Sequence, residues 1–201
     1  MTTETARIEA FSDGVFAIAI TLLVLEIKIP SPGASLAAVL LHEWPFYLSF
    51  VISFAFIGIM WINHHRLFTH IKRSDNKLLI LNLLLLMGVT SVPFPTAVLA
   101  LNLGEPGQRP AALLYSGTYV YVAIVFNWLW RYASGSRRHL LDADVDPTAV
   151  KHISRQYAFG PLAYLICFGL AWISVPASLA LNILLACFFA LPPAALVGTR
   201  K

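Results

Sequence analysis

Long apolar stretches alternate with short polar segments along most of the chain. Five stretches are long enough for a membrane helix and contain no charged residue; they are 44–63, 78–101, 111–130, 157–175 and 177–198. A sixth stretch, 11–29, is apolar except for Asp13, Glu26 and Lys28. About 20 apolar residues in a helix cross a hydrocarbon core of about 30 Å. The pattern therefore predicts an all-α membrane protein, a single domain over 1–201 with six transmembrane helices.

The boundary between the last two spans is not marked by a charged residue, because residues 157–199 form one uncharged run. A single helix of that length would measure about 64 Å, roughly twice the thickness of the hydrocarbon core. Pro176, flanked by Ser174 and Ser178, predicts the break and hence a tight helical hairpin.

Composition agrees with a membrane location. Hydrophobic residues make up 58% of the 201 residues, charged residues 12%, and the mean hydropathy is +0.73. Soluble chains carry about twice that share of charge. The formal charge of +4 comes from basic residues lying between apolar runs, a pattern that argues against nucleic-acid binding. Cys167 and Cys187 lie inside apolar runs and are expected to be buried thiols, with no cofactor or structural metal.

The basic residues also predict the orientation. With the N-terminus in the cytoplasm, Lys28 and Arg109 alone of the 14 basic residues face outward. The other 12 are cytoplasmic: Arg7, Arg66, Lys72, Arg73, Lys77, Arg131, Arg137, Arg138, Lys151, Arg155, Arg200 and Lys201. We therefore expect a multi-pass protein of the cell membrane with both termini in the cytoplasm. The alternative for the first span is a cleavable signal peptide ending near Ala37.

Polar side chains at membrane depth are the candidates for function, since each must find a partner there. Asp13 lies near the cytoplasmic end of the first span and needs a partner from another helix. The second span ends in the segment WINHHR, residues 61–66. Trp61 lies three residues before His64 and four before His65, so the indole and one imidazole can face the first helix together. We expect Asp13 to pair with His64 or His65, with Arg7 and Trp61 completing the network.

Three interpretations of this network stay open. It can be a structural clamp between two helices, or a proton-responsive element, because a histidine beside a carboxylate titrates near neutral pH. Metal ligation is the third, although His64 and His65 point about 100° apart and cannot both face one ion.

The first span also carries an apolar stripe. Ile18, Leu22, Leu25 and Ile29 recur at helical spacing, and Thr21 flanks them about 60° from Ile18. Asp13 lies about 140° from Ile18 and so faces elsewhere. Such a stripe can face lipid, another helix or a pore. The chain contains no filter sequence of the Thr-Val-Gly-Tyr-Gly type, and a conducting path is easier to build at the axis of an oligomer than inside six helices.

Residues 7–17 read RIEAFSDGVFA, and this segment resembles the RxxxFSD signature of the transmembrane protein 175 family. These are the lysosomal potassium channels of animals and their prokaryotic relatives. The likeness extends to the six-span layout, to residues 61–66 and to the proline-containing third span. One copy of the signature is present, as in the single-repeat prokaryotic members, which assemble as tetramers.

The resemblance implies a potassium-permeable channel without a conventional filter, built as a homotetramer around the first helices. It places a hydrophobic constriction at Ile18, further pore-lining positions at Thr21, Leu22 and Leu25, and permeating potassium near Ile18 and Thr21. It also implies an intrasubunit network; its members are Arg7, Phe11, Ser12, Asp13, Trp61, Asn63, His64 and, as the alternative imidazole, His65. The competing function is a proton-coupled secondary transporter that uses Asp13 and His64. The sequence shows no pair of a nucleophile and a base at membrane depth that would indicate an enzyme.

Overall fold

The computed structural model describes residues 5–27, 36–135 and 140–191. In these ranges the regular elements are helices, joined by turns and loops, and one isolated antiparallel β-bridge pairs Ile71 with Leu141. The helices are α1 (Ala6–Leu22), α2 (Leu36–His42), α3 (Trp44–His70), α4 (Asn76–Ser91), α5 (Pro93–Asn102), α6 (Gln108–Ala133), α7 (Pro147–Ile173) and α8 (Val175–Ala190). A single turn of 3-10 helix, Leu23–Glu26, follows α1.

Five helical segments are long and apolar enough to cross a membrane: Ala6–Leu25, Trp44–His70, Asn76–Asn102, Gln108–Ala133 and Pro147–Ile173. In chain order they correspond to the predicted spans 11–29, 44–63, 78–101, 111–130 and 157–175. The sixth, predicted at 177–198, appears as the 16-residue α8, and its last seven residues lie outside the described part of the chain. The short α2, which the apolar pattern did not predict, has no buried residue.

Two helices extend well beyond their predicted spans, because the predicted boundaries stopped where charges appear. α3 continues from residue 63 to His70, and its extension buries His64, Leu67 and Phe68. α7 begins ten residues before Tyr157, at Pro147, where Asp146 accepts a hydrogen bond from the Thr148 amide and so caps the helix.

The prolines act at three different places. The third predicted span, 78–101, is interrupted at Val92, between α4 and α5, immediately before Pro93. The break between α7 and α8 is at Ser174, which is extended and whose hydroxyl accepts from the Ala177 amide. The predicted helical hairpin is therefore present, with its break two residues before Pro176; the proline lies in the first turn of α8, where its missing N–H costs nothing.

Pro161 lies inside α7 without ending it. A proline leaves the carbonyl four residues earlier, here that of Tyr157, without its helical donor. The Asn127 amide of α6 donates to this carbonyl over 2.7 Å. A side chain from the neighbouring helix thus replaces the missing backbone bond, which membrane helices require because lipid offers no donor.

One end of the bundle collects the polar connections. The backbone amides of Lys72 and Arg73 donate to the Leu140 carbonyl, which joins the segment after α3 to the segment after α6. Arg66 donates to the Ala190 carbonyl over 2.9 Å and so brings the end of α8 to the same side. The segments carrying most of the basic residues therefore share one face of the bundle.

The Asn127 bond gives a test of the packing. We expect Asn127→Leu to destabilise the protein by about 1–3 kcal/mol, because it leaves the Tyr157 carbonyl buried without a donor. In a Pro161→Ala background the backbone N–H returns, so the same Asn127→Leu change should cost measurably less. Equilibrium unfolding in detergent of the wild type, the two single variants and the double variant checks this. An equal loss of unfolding free energy from Asn127→Leu in both backgrounds would contradict it.

Candidate functional site

The first helix has two contrasting faces. One face packs into the bundle and buries Ile8, Ser12, Phe16 and Ala19. The other carries large apolar side chains that the chain's own helices leave uncovered. Ile18 is 60% exposed, and Leu22 and Leu25 are exposed too.

The four predicted pore-lining residues lie in two kinds of helix. Ile18, Thr21 and Leu22 belong to α1, and the Thr21 hydroxyl donates to the Ile18 carbonyl over 2.9 Å. Leu25 is 74% exposed and lies in the 3-10 turn, so the stripe continues with a different angular step after Leu22. Ile29, the last member of the predicted stripe, lies outside the described residues.

Phe11 lies on the exposed face as well. It precedes Ile18 by seven residues, or two helical turns, and is 56% exposed. Its expected place in the internal network is therefore wrong, because its ring points away from the helices that the network joins. The spacing could have shown this, since seven residues return a side chain to the same face.

Asp13 is held by an indole. The Trp61 Nε1–H donates to the Asp13 carboxylate over 2.7 Å and links α1 to α3. The Trp61 ring in turn stacks on His65, with ring centroids 6.3 Å apart. Both Asp13 and Trp61 are exposed in the single chain, so this bond lies at the rim of the bundle.

A second link joins α1 to α3 through α4. The Asn82 amide donates to the Ser12 hydroxyl over 3.0 Å, and its carbonyl oxygen lies 2.9 Å from His64 Nε2. Because the Asn82 oxygen only accepts, His64 Nε2 must carry the proton of this bond. All three side chains are buried. The His64 ring also contacts Phe16 and Phe68, with centroids 5.5 and 4.5 Å away.

The predicted direct pairing of Asp13 with His64 or His65 is not what the structure has. The Trp61 indole is hydrogen-bonded to the Asp13 carboxylate, and the Asn82 side chain is hydrogen-bonded to the His64 imidazole. Within the described residues Arg7 makes no hydrogen bond or ion pair; it lies eleven residues before Ile18, three turns along the same exposed face.

Asn63 belongs to a different set of contacts. Its amide donates to the Phe189 carbonyl of α8 over 3.0 Å, and the Tyr157 hydroxyl of α7 donates to its oxygen over 3.2 Å. It therefore joins α3 to the last two helices and has no bond to α1. The residue that does connect Ser12 to His64 is Asn82. An asparagine inside an apolar span indicates an interhelical hydrogen bond, but its position alone does not identify the partners.

Comparison with known proteins identifies relatives of this chain. The sequence profile of the family described as "Endosomal/lysosomal potassium channel TMEM175" matches residues 7–93. A potassium channel of Chamaesiphon minutus is 52% identical over 94% of both chains, and one of Streptomyces collinus is 46% identical over 92% of this chain and 91% of that one. The human endosomal/lysosomal proton channel TMEM175 is 31% identical over 81% of this chain and 35% of its own length.

A solved structure also resembles this chain. The crystal structure of a lysosomal potassium-selective channel TMEM175 homolog from Chamaesiphon minutus superimposes with a TM-score of 0.86 at 49% identity, covering 96% of this chain and 99% of that one. Similarity of sequence and of fold over nearly the whole length shows that this chain is a multi-pass membrane protein and belongs to the TMEM175 family of ion channels.

Proposed function

We propose that the protein is a potassium channel through which ions pass passively along the exposed face of α1. The observation that carries this proposal is the division of α1 into a buried face, bonded to α3 and α4, and an uncovered apolar face around Ile18. The choice of potassium as the permeating ion is supported by the relatives that are described as potassium channels and that align over nearly the full length.

The proposed pore lies between copies of the chain. The centre of the bundle is filled by side chains such as Ile57, Leu85 and Trp130, which are fully buried, so the described helices of one copy leave no channel for a hydrated ion between them. Four copies arranged with their α1 helices around one axis would cover the exposed stripe and line a path with it. We therefore propose a homotetramer with Ile18, Thr21, Leu22 and Leu25 toward the axis.

The Ile18 ring would form the constriction. A ring of apolar side chains offers an ion nothing in exchange for its hydration water, so such a ring restricts flux and can close by dewetting. Thr21 lies within one turn of it, and because its hydroxyl hydrogen is bonded to the Ile18 carbonyl, its oxygen lone pairs are free to face potassium. We expect selectivity weaker than that of a carbonyl filter, since side-chain rings replace hydration less completely.

We further propose that the bundle end carrying the basic segments faces the cytoplasm of the cell, as the distribution of lysine and arginine requires. The N-terminal end of α1 and the C-terminal end of α8 would then face the cytoplasm, with α8 as the sixth span.

The geometry disfavours the proton-coupled transporter. That mechanism needs Asp13 and His64 to exchange a proton, whereas Asp13 is bonded to Trp61 and His64 to Asn82. The contacts around both groups suit a clamp that sets the rotation of α1.

Replacing the Ile18 side chain at the proposed constriction by a smaller or more polar one should raise the potassium flux. We expect Ile18→Ala and Ile18→Asn to increase potassium flux into liposomes on the order of tenfold, the change produced by a barrier lower by about 1.4 kcal/mol. The physical reason is a wider or wetter ring at the narrowest point. Fluorescence-based flux assays on purified protein, with protein-free vesicles as the blank, measure it.

Ile80 provides the matched control, because it is about as exposed as Ile18 and lies on α4. Ile80→Ala and Ile80→Asn should leave the flux unchanged. The proposal fails if wild-type protein gives no flux above the blank, or if substitutions at Ile18 and Ile80 act alike.

The buried bonds of α1 give a second prediction. Ser12→Ala and Asn82→Leu each remove a member of the same link, so their effects should be non-additive by about 1 kcal/mol in a double-mutant cycle of unfolding. Asn102→Leu is the control partner for Ser12→Ala, because the Asn102 amide donates within its own helix to the Val98 carbonyl. Additive effects in the Ser12 and Asn82 pair would show that the bond does not hold α1.

A further inference from the structure

The outward face of α7 carries a row of exposed side chains. Counted from Arg155, the row members fall within about 40° of one line along the helix at 100° per residue. They are Lys151, Arg155, Phe159, Leu162, Ile166 and Ile173, all exposed in the structure. The first two are cations, the rest are large apolar residues, and Ile173 is 82% exposed.

The length of the row matches a bilayer. Eighteen residues separate Arg155 from Ile173, which at 1.5 Å per residue is about 27 Å, close to the ~30 Å of the hydrocarbon core. The exposed Trp172 lies beside Ile173, and tryptophan favours the membrane interface. The row from Arg155 to Ile173 therefore reaches from one boundary to the other, with the two cations at the cytoplasmic boundary of the proposed orientation.

Neither cation has an anionic partner in the part of the chain that the structure describes. Lys151 and Arg155 make no hydrogen bond or ion pair with any other residue of the described ranges. Their spacing of four residues puts two like charges on one helix face, an arrangement that disfavours the helix unless an anion lies between them. In the loop before α7, Asp142 accepts from the Asp144 amide and Asp146 from the Thr148 amide.

We propose that this row binds an anionic phospholipid. The headgroup phosphate lies between Lys151 and Arg155, and an acyl chain runs along Leu162 and Ile166. Charge complementarity selects the headgroup, and the apolar row directly below the cations selects a lipid over a free phosphate ion. The site lies on α7, away from the α1 face that carries the proposed pore, so it stands whether or not ions pass along α1.

Native mass spectrometry of the purified full chain tests this with phosphatidylglycerol and phosphatidylcholine of identical acyl chains. We expect the wild type to retain phosphatidylglycerol in preference to phosphatidylcholine by on the order of tenfold, as two basic residues near an anionic headgroup supply. The double variant Lys151→Gln with Arg155→Gln should lose that preference, and the charge-preserving Lys151→Arg with Arg155→Lys should keep it.

The matched control is Lys72→Gln with Lys77→Gln, which removes the same charge from the same end of the bundle, at positions outside the row. The proposal is overturned if this control loses the preference to the same extent, because net charge would then explain it. It is also overturned if millimolar inorganic phosphate displaces the lipid, which would make the site one for phosphate alone. A changed oligomeric state in the Lys151 and Arg155 double variant would overturn it too, since the row would then be covered by a second copy.

Discussion

The rotation of the first helix about its own axis is the constraint on which the rest of the structure depends. Ser12 lies among apolar side chains at a depth where an unpaired polar group is costly, and only one rotation of α1 lets it reach Asn82. The same rotation brings Asp13 to the Trp61 indole. Once these two bonds form, Phe16 and Ala19 enter the core, and Ile18, Leu22 and Leu25 are left outside.

The polar residues elsewhere in the bundle follow the same rule of pairing within the protein. Asn127 supplies the donor that Pro161 removes from α7, and Asn63 joins α3 to α7 and α8. Arg66 donates to the carbonyls of Ala190, the last residue of α8, and of Leu191 just after it, where a helix end attracts a cation. Each bond crosses between helices, so together they restrict sliding and rotation that apolar contacts alone would permit in a membrane.

Much of this architecture could be predicted from the sequence, because apolar length and helical spacing are properties of the chain itself. The stripe around Ile18 and the helical hairpin between the last two helices are of this kind. The helix boundaries at His70 and Pro147 were missed, since charged residues continue a helix readily once it leaves the hydrocarbon core. The partners of Asp13 and His64 were missed for a different reason. Several polar groups lay within reach of each, and the choice between Trp61, Asn82 and the imidazoles depends on packing that spacing does not encode.

The central claim is that Ile18 faces permeating ions at an axis shared by several copies. The most direct measurement is block of potassium flux by Cd²⁺ in an Ile18→Cys variant, made in a background in which Cys167 and Cys187 are replaced by alanine. Thiolates gathered around a narrow axis bind a soft divalent cation, so the account predicts that Cd²⁺ stops the flux in this variant and leaves the cysteine-free parent and an Ile80→Cys variant unaffected. Undiminished flux through the Ile18→Cys protein in Cd²⁺, with the thiol shown to be accessible to a methanethiosulfonate reagent, would contradict it.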